Sequence, residues 1–218
     1  MRDPIEEALR QVKDIQNRML DKQRFKGYSG RARALGGCFA LMAAMLVSLT
    51  SQPIDSMRVL YAWGAVFAFA ASINFGALVY WFLSDPEVER DWRRVRPLVA
   101  VLPSLVVGFI LTVTLVERGA FELLYGVWML IYGLANFASR AVLPDGIRWA
   151  GWYYVLAGSY FLIFPTTAFT APLAAGAVFF IGEWVAGLIL HYDEHPENTV
   201  WAFLGLPNLL NSDEQKER

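Results

Sequence analysis

The sequence predicts an all-α, polytopic membrane protein with six transmembrane helices in three hairpin repeats, preceded by an N-terminal cytoplasmic amphipathic helix. Three observations predict it. First, charge is nearly absent from three windows of 40 to 50 residues: only Asp55 and Arg58 lie between Arg33 and Asp85, only Glu117, Arg118 and Glu122 between Arg96 and Arg140, and only Glu183 between Arg148 and Asp193. Each window is about twice the ~20 residues that cross a ~30 Å hydrocarbon core. Second, each window has a polar break near its middle, at Ser51 to Asp55, at Glu117 to Gly119, and at Pro165 to Thr167. Each therefore reads as two spans and a short turn. Third, 17 of the 19 Lys and Arg fall on one side of such a six-span chain, leaving only Arg58 and Arg118 on the other. Basic residues mark the cytoplasmic side, so both termini are expected there.

Composition supports the same class. Apolar types make up 56% of the 218 residues and charged types 18%, against about 25% charged in a soluble domain. That balance excludes a disordered chain and gives no support to nucleic-acid binding. The single cysteine, Cys38, excludes an internal disulfide framework. Soluble core helices are shorter and carry a charged outer face, whereas these segments are apolar all round.

The elements follow in order. Residues 1–34 form a cytoplasmic amphipathic helix and basic anchor. Ile5, Ala8, Val12, Ile15 and Met19 make an apolar seam over 4–26, after the Asp3 and Pro4 start signal. This helix suits the bilayer surface, the cytoplasmic face of the bundle or self-association, and it is the candidate site for a cytoplasmic protein partner. Lys22 to Arg33 holds five basic residues and no acidic one, which suits either anionic lipid or simple anchoring of the first span. The transmembrane domain covers 35–191, in hairpins 35–83, 98–143 and 147–191. Its helices are expected at 35–51, 58–83, 98–116, 121–143, 147–164 and 171–191. The 84–97 connection reads as a short cytoplasmic helix. Residues 192–218 form a cytoplasmic interfacial segment around Trp201 and a polar tail. Residues 1–30 are too charged to contain a signal peptide.

The second helices of the three hairpins align on a polar residue followed by an aromatic one: Asn74-Phe75, Asn136-Phe137 and Glu183-Trp184. The first helices agree more loosely, through Gly108, Gly158 and Ala43-Ala44. Tandem hairpins of this kind would be related by an axis along the membrane normal.

Two stretches carry a resemblance to a known family. They are Tyr125-Gly126-Val127-Trp128-Met129-Leu130-Ile131-Tyr132-Gly133-Leu134, and Gly151-Trp152-Tyr153-Tyr154-Val155-Leu156-Ala157-Gly158 through Pro165. Over residues 35–191 the chain resembles the HdeD-type acid-resistance membrane proteins, six-helix proteins built from short hairpin repeats. The resemblance implies a bacterial inner-membrane location and a role in acid or envelope stress, with no catalytic residues to carry over. The charged N-terminus, the 84–97 insert and the Trp201 segment depart from the compact family pattern.

Chemistry has few places to sit. Glu183 is the only ionisable side chain in the middle of an expected span, and an acid there is costly unless paired or protonated. Arg140, on the same stripe as Tyr132 and Asn136, is its candidate partner. Asn74, Asn136 and Glu183 would then meet at one depth, as a proton-sensing or ion-coordinating centre or as a hydrogen-bond cluster that fixes packing. His191 and His195 have a spacing zinc can use, but the chain has no further histidine. Gly64, Ala68, Ser72 and Gly76 form a small-residue face on the second helix, for packing within the bundle or in a homo-oligomer. Signatures of enzymes are missing, and no cofactor is implied. The leading expectation is a non-enzymatic integral membrane protein; a small transporter or proton-linked channel and a partner-recruiting subunit are the alternatives.

Overall fold

The computed structural model describes residues 7, 11–12, 29–50, 54–84, 96–139, 143–164, 168–194 and 203–204. Among them are six α-helices, which we number in chain order: α1 Gly30–Ser48, α2 Ser56–Ser84, α3 Arg96–Glu117, α4 Leu124–Ala138, α5 Ile147–Ile163 and α6 Leu173–Glu194. A short 3₁₀ turn, Phe121–Leu123, leads into α4. The described residues contain no strand. Most of the expected N-terminal helix, most of the 84–97 connection and the Trp201 segment lie outside the described residues.

The helix ends follow from local chemistry. Ser29 caps α1 in an extended conformation, and its side chain accepts a hydrogen bond from the Ala32 amide. The helix thus starts five residues before the expected position 35, which brings Arg33 into its first turn. In the second charge-poor window, α3 closes on Gly119 with φ at +71°. Ala120 N–H donates to Leu115 O at 2.9 Å and Gly119 N–H to Val116 O at 3.0 Å, a Schellman closure that needs the left-handed backbone glycine tolerates. This is the Glu117 to Gly119 break that the sequence marks as a turn. The expected helix 121–143 is shorter in the structure: it begins with the 3₁₀ turn, and α4 ends at Ala138.

Four helices are long and apolar enough to cross a membrane: α1, α2 over Ser56–Ala77, α4 with its leading turn, and α6. Large apolar side chains point outward around the bundle, among them Tyr61, Phe67, Val106, Phe109, Leu156 and Ile163. Such a surface suits hydrocarbon rather than water.

Helix packing is uneven. The most extensive contacts join α1 to α6 and α4 to α5, and weaker ones join α1 to α2, α3 to α4 and α5 to α6. The two tight seams are antiparallel and glycine-lined. A Cβ on Gly158 would come within 2.8 Å of Gly126 O, and one on Gly37 within 2.8 Å of the Glu183 Cβ. Backbones can approach this closely only where side chains are missing, and membrane helices associate through such contacts. At the turn-bearing end, Tyr125 is fully buried, and its hydroxyl accepts from Trp63 Nε1 at 3.2 Å and donates to Phe169 O at 2.8 Å. Trp128, Phe161 and Phe169 surround it at ring distances of 4.8 to 6.2 Å. A buried tyrosine is stable here because its one polar group is satisfied.

A buried arginine–glutamate cluster

The expected intramembrane polar cluster is built around a residue that the sequence reading left outside it. Arg33 on α1 is 4% exposed and Glu183 on α6 is 7% exposed. Their contact is bidentate: Arg33 Nε donates to Glu183 Oε2 at 3.0 Å and Arg33 Nη2 to Oε1 at 3.0 Å. Fork-on-fork pairing of this kind is the strongest geometry available to a guanidinium and a carboxylate. Asn136 on α4 accepts from both terminal nitrogens of Arg33 at 3.1 Å, through its Oδ1. Tyr132, one turn earlier, accepts from Nη2 at 3.4 Å and lies with its ring 5.8 Å from the guanidinium carbon. Tyr154 on α5 completes the shell by donating its hydroxyl to Glu183 Oε1 at 2.8 Å. The rings of Tyr132 and Tyr154 meet edge to face at 4.8 Å.

Four helices therefore meet at one pair of opposite charges. Taking either charge out of water costs several kcal/mol, and only good geometry with satisfied hydrogen bonds offsets it. The backbone makes that geometry possible in two places. Gly37 lets α1 approach the Cβ of Glu183, and Gly182 leaves room for the Tyr154 hydroxyl, where a Cβ would collide.

Most of the residues singled out from the sequence are among those described. Glu183, Asn136 and Tyr132 come together around Arg33. Arg140, the expected partner of Glu183, lies outside the described residues, and the cation that holds both carboxylate oxygens is Arg33. Asn74 on α2 does not bond to the cluster. Its Nδ2 donates back to Ala70 O at 2.9 Å, and its buried Oδ1 has no hydrogen-bond partner among the described residues. It does line a cavity of about 120 Å³ that Arg33, Tyr132 and Asn136 also line. His191 is buried at the end of α6, with its ring 5.1 Å from that of Phe203; His195 lies outside the described residues. Among the described residues no group of three His, Cys, Asp or Glu gathers as metal ligands would.

The small-residue face makes no close contact within the bundle, which leaves the homo-oligomer alternative. Gly64, Ala68, Ser72 and Gly76 are exposed on α2, and a Cβ on Gly64 or Gly76 would meet nothing within 4 Å. These residues face away from the bundle, whose close contacts are made instead by Gly30 and Gly187, Gly37, Gly126 and Gly158, and Gly133 and Gly151. Spacing alone could not tell the two faces apart, because α2 is small-residue-rich and apolar on every side.

Sequence reasoning missed Arg33 and Tyr154. A signal for Arg33 was present: a buried Glu183 demands a cation, and Arg33 borders the first apolar window. It was read as the last residue of the basic anchor. Tyr154 carried no comparable signal among the chain's nine tyrosines.

No family model matches the chain, and neither the curated proteins nor the solved structures contain a significant match.

Proposed function

We propose that the protein is a non-enzymatic, six-span integral membrane protein in which the Arg33–Glu183 cluster fastens the bundle rather than carrying protons or ions. The observation behind this reading is the closure of the cluster. Both carboxylate oxygens of Glu183 are engaged, by Arg33 and Tyr154, and the cavity beside the cluster is lined by Arg33 but not by Glu183. A carrier site needs a path to its ionisable group and freedom to exchange partners. A fastening site needs neither.

The six-span topology with both termini cytoplasmic rests on the 17-to-2 partition of Lys and Arg. A threefold hairpin repeat finds support in the side chains: Asn74 and Asn136 make the same bond to the carbonyl four residues back, to Ala70 and to Tyr132. Asn136 and Glu183 both turn toward Arg33, as equivalent positions about one axis would. The cytoplasmic surfaces, including the segment 4–26, are then the parts open to a protein partner.

Reconstitution into liposomes loaded with a pH-sensitive dye tests the fastening role. Proton flux under an imposed gradient is expected to match that of empty liposomes. A flux abolished by Glu183→Gln, in a variant that keeps its fold, would instead establish proton transport. Topology is checked in a Cys38→Ala background: single cysteines at Asp55 or Glu122 should react with an impermeant maleimide added outside whole cells, and one at Lys216 should not.

A further inference from the structure

The end of α6 has a covering that plays no part in the fastening site. The helix stops at Glu194, yet Phe203 packs back against its final turns. The Phe203 ring lies 5.1 Å from that of His191 and meets the Trp184 indole edge to face at 5.8 Å. Gly187 lies under the same ring, where an added Cβ would stand 3.5 Å from Phe203 Cζ. The chain therefore turns back after α6 and lays one side chain across it. Phe203 is buried, whereas Leu204 beside it is exposed. The backbone is held as well, because the Phe203 carbonyl accepts from Arg31 Nε of α1 at 3.1 Å.

The place covered is one end of the α1–α6 seam. There Gly30 and Gly187 meet backbone to backbone, and a Cβ on either would collide with the other. Facing glycines leave a notch beside the seam, and a flat apolar ring suits it. The contact continues along the seam. Trp184, which Phe203 touches, donates through Nε1 to Cys38 Sγ at 3.3 Å, and its ring lies 5.7 Å from that of Phe180. Phe203, Trp184 and Cys38 thus form one line running from the notch into the bundle.

From this arrangement we infer that the C-terminal segment is a releasable strap, pinned by Phe203, which ties the start of α1 to the end of α6 and closes their seam as far as Cys38. The fastening is light. Among the described residues, one buried ring and one hydrogen bond hold the strap, whereas facing glycines and a bidentate ion pair hold the helices beneath it. Segments with few buried contacts open locally at a free energy well below that of global unfolding, so the strap lifts while the bundle stays folded. Lifting it uncovers Trp184, and the indole that shields the thiol is then free to move. The strap goes beyond the fastening role of Arg33 and Glu183. Its pin rests on Gly187 and Trp184 rather than on that pair, so the two can fail separately.

Cys38, the single cysteine of the chain, is half-buried and reports the state of the strap. The full-length protein in phosphatidylcholine nanodiscs is treated with N-ethylmaleimide, and the alkylation rate of Cys38 is followed by mass spectrometry. Phe203→Ala should raise that rate about tenfold, the effect of losing most of a buried apolar anchor from a locally opening segment. Phe203→Met, which refills the notch with an apolar chain, should bring the rate back to within about twofold of the parent. A reference cysteine replaces Ala157, which packs on the core from α5, in a Cys38→Ala background; its rate should be the same with and without Phe203→Ala. An unchanged Cys38 rate in Phe203→Ala would overturn the inference, since the seam would then be closed without the strap. An equal rise at position 157 would overturn it too, as the sign of a bundle loosened throughout. So would a Phe203→Met rate as high as that of Phe203→Ala, because filling the notch would then not be what closes the seam.

Discussion

The two sides of the bundle are built on different terms. On one side, α1 with α6 and α4 with α5 are drawn together by facing glycines, and the charges of Arg33 and Glu183 are sealed between them. On the other side, the most apolar stretch of α2 is only 17% buried, against 50% for α1, and a cavity lies where α2, α3 and α4 face one another. The sequences of the two sides are equally apolar, so hydrophobicity does not explain the difference. In a bilayer it cannot, since lipid tails are as apolar as leucine and give helices no reason to associate. What separates the two sides is close backbone approach and a buried polar anchor. The closed side has both.

Variants on the two sides sharpen this contrast. The largest effect is expected for Arg33→Met, which leaves the Glu183 carboxylate buried without its cation and should cost about 3–5 kcal/mol in a reversible unfolding assay in detergent micelles. Gly158→Val, on the α4–α5 seam, should cost about 1–3 kcal/mol by forcing the helices apart. The same change at Gly64 on α2 should fall within about 0.5 kcal/mol, because nothing lies within 4 Å of its added carbon. If Gly64→Val destabilised as much as Gly158→Val, the outward face of α2 would be a contact surface and the contrast would fail. Tyr154→Phe removes one hydrogen bond to Glu183 and should cost about 0.6–2 kcal/mol, read from the same unfolding curves.

The sequence made the class of the fold plain, because a helix crossing lipid must be apolar along its whole length and charge marks where it ends. Helix positions followed within a few residues, as at Gly119, where a glycine after Glu117-Arg118 supplies the left-handed closure. The site was only half legible. Glu183 stands out as a lone acid in apolar text, and Tyr132 and Asn136 form a polar stripe of their own on the fourth helix. Arg33 was hidden by its neighbours: a cation at the end of a basic segment looks like an anchor until the helix start is fixed by Ser29. The small residues of α2 teach a related point. Spacing shows that a close contact can form, but the partner helix decides whether it does, and the sequence pattern of one helix does not contain that information.

The pairing of Arg33 with Glu183 is the center of this account, and a double-mutant cycle measures it most directly. Arg33→Met, Glu183→Gln and the double variant should be compared by unfolding in the same detergent. The account predicts that the double variant is less damaged than the sum of the two singles by about 2–3 kcal/mol, since removing both charges leaves neither stranded. Strictly additive losses would show that the two charges do not depend on each other, and would contradict the account.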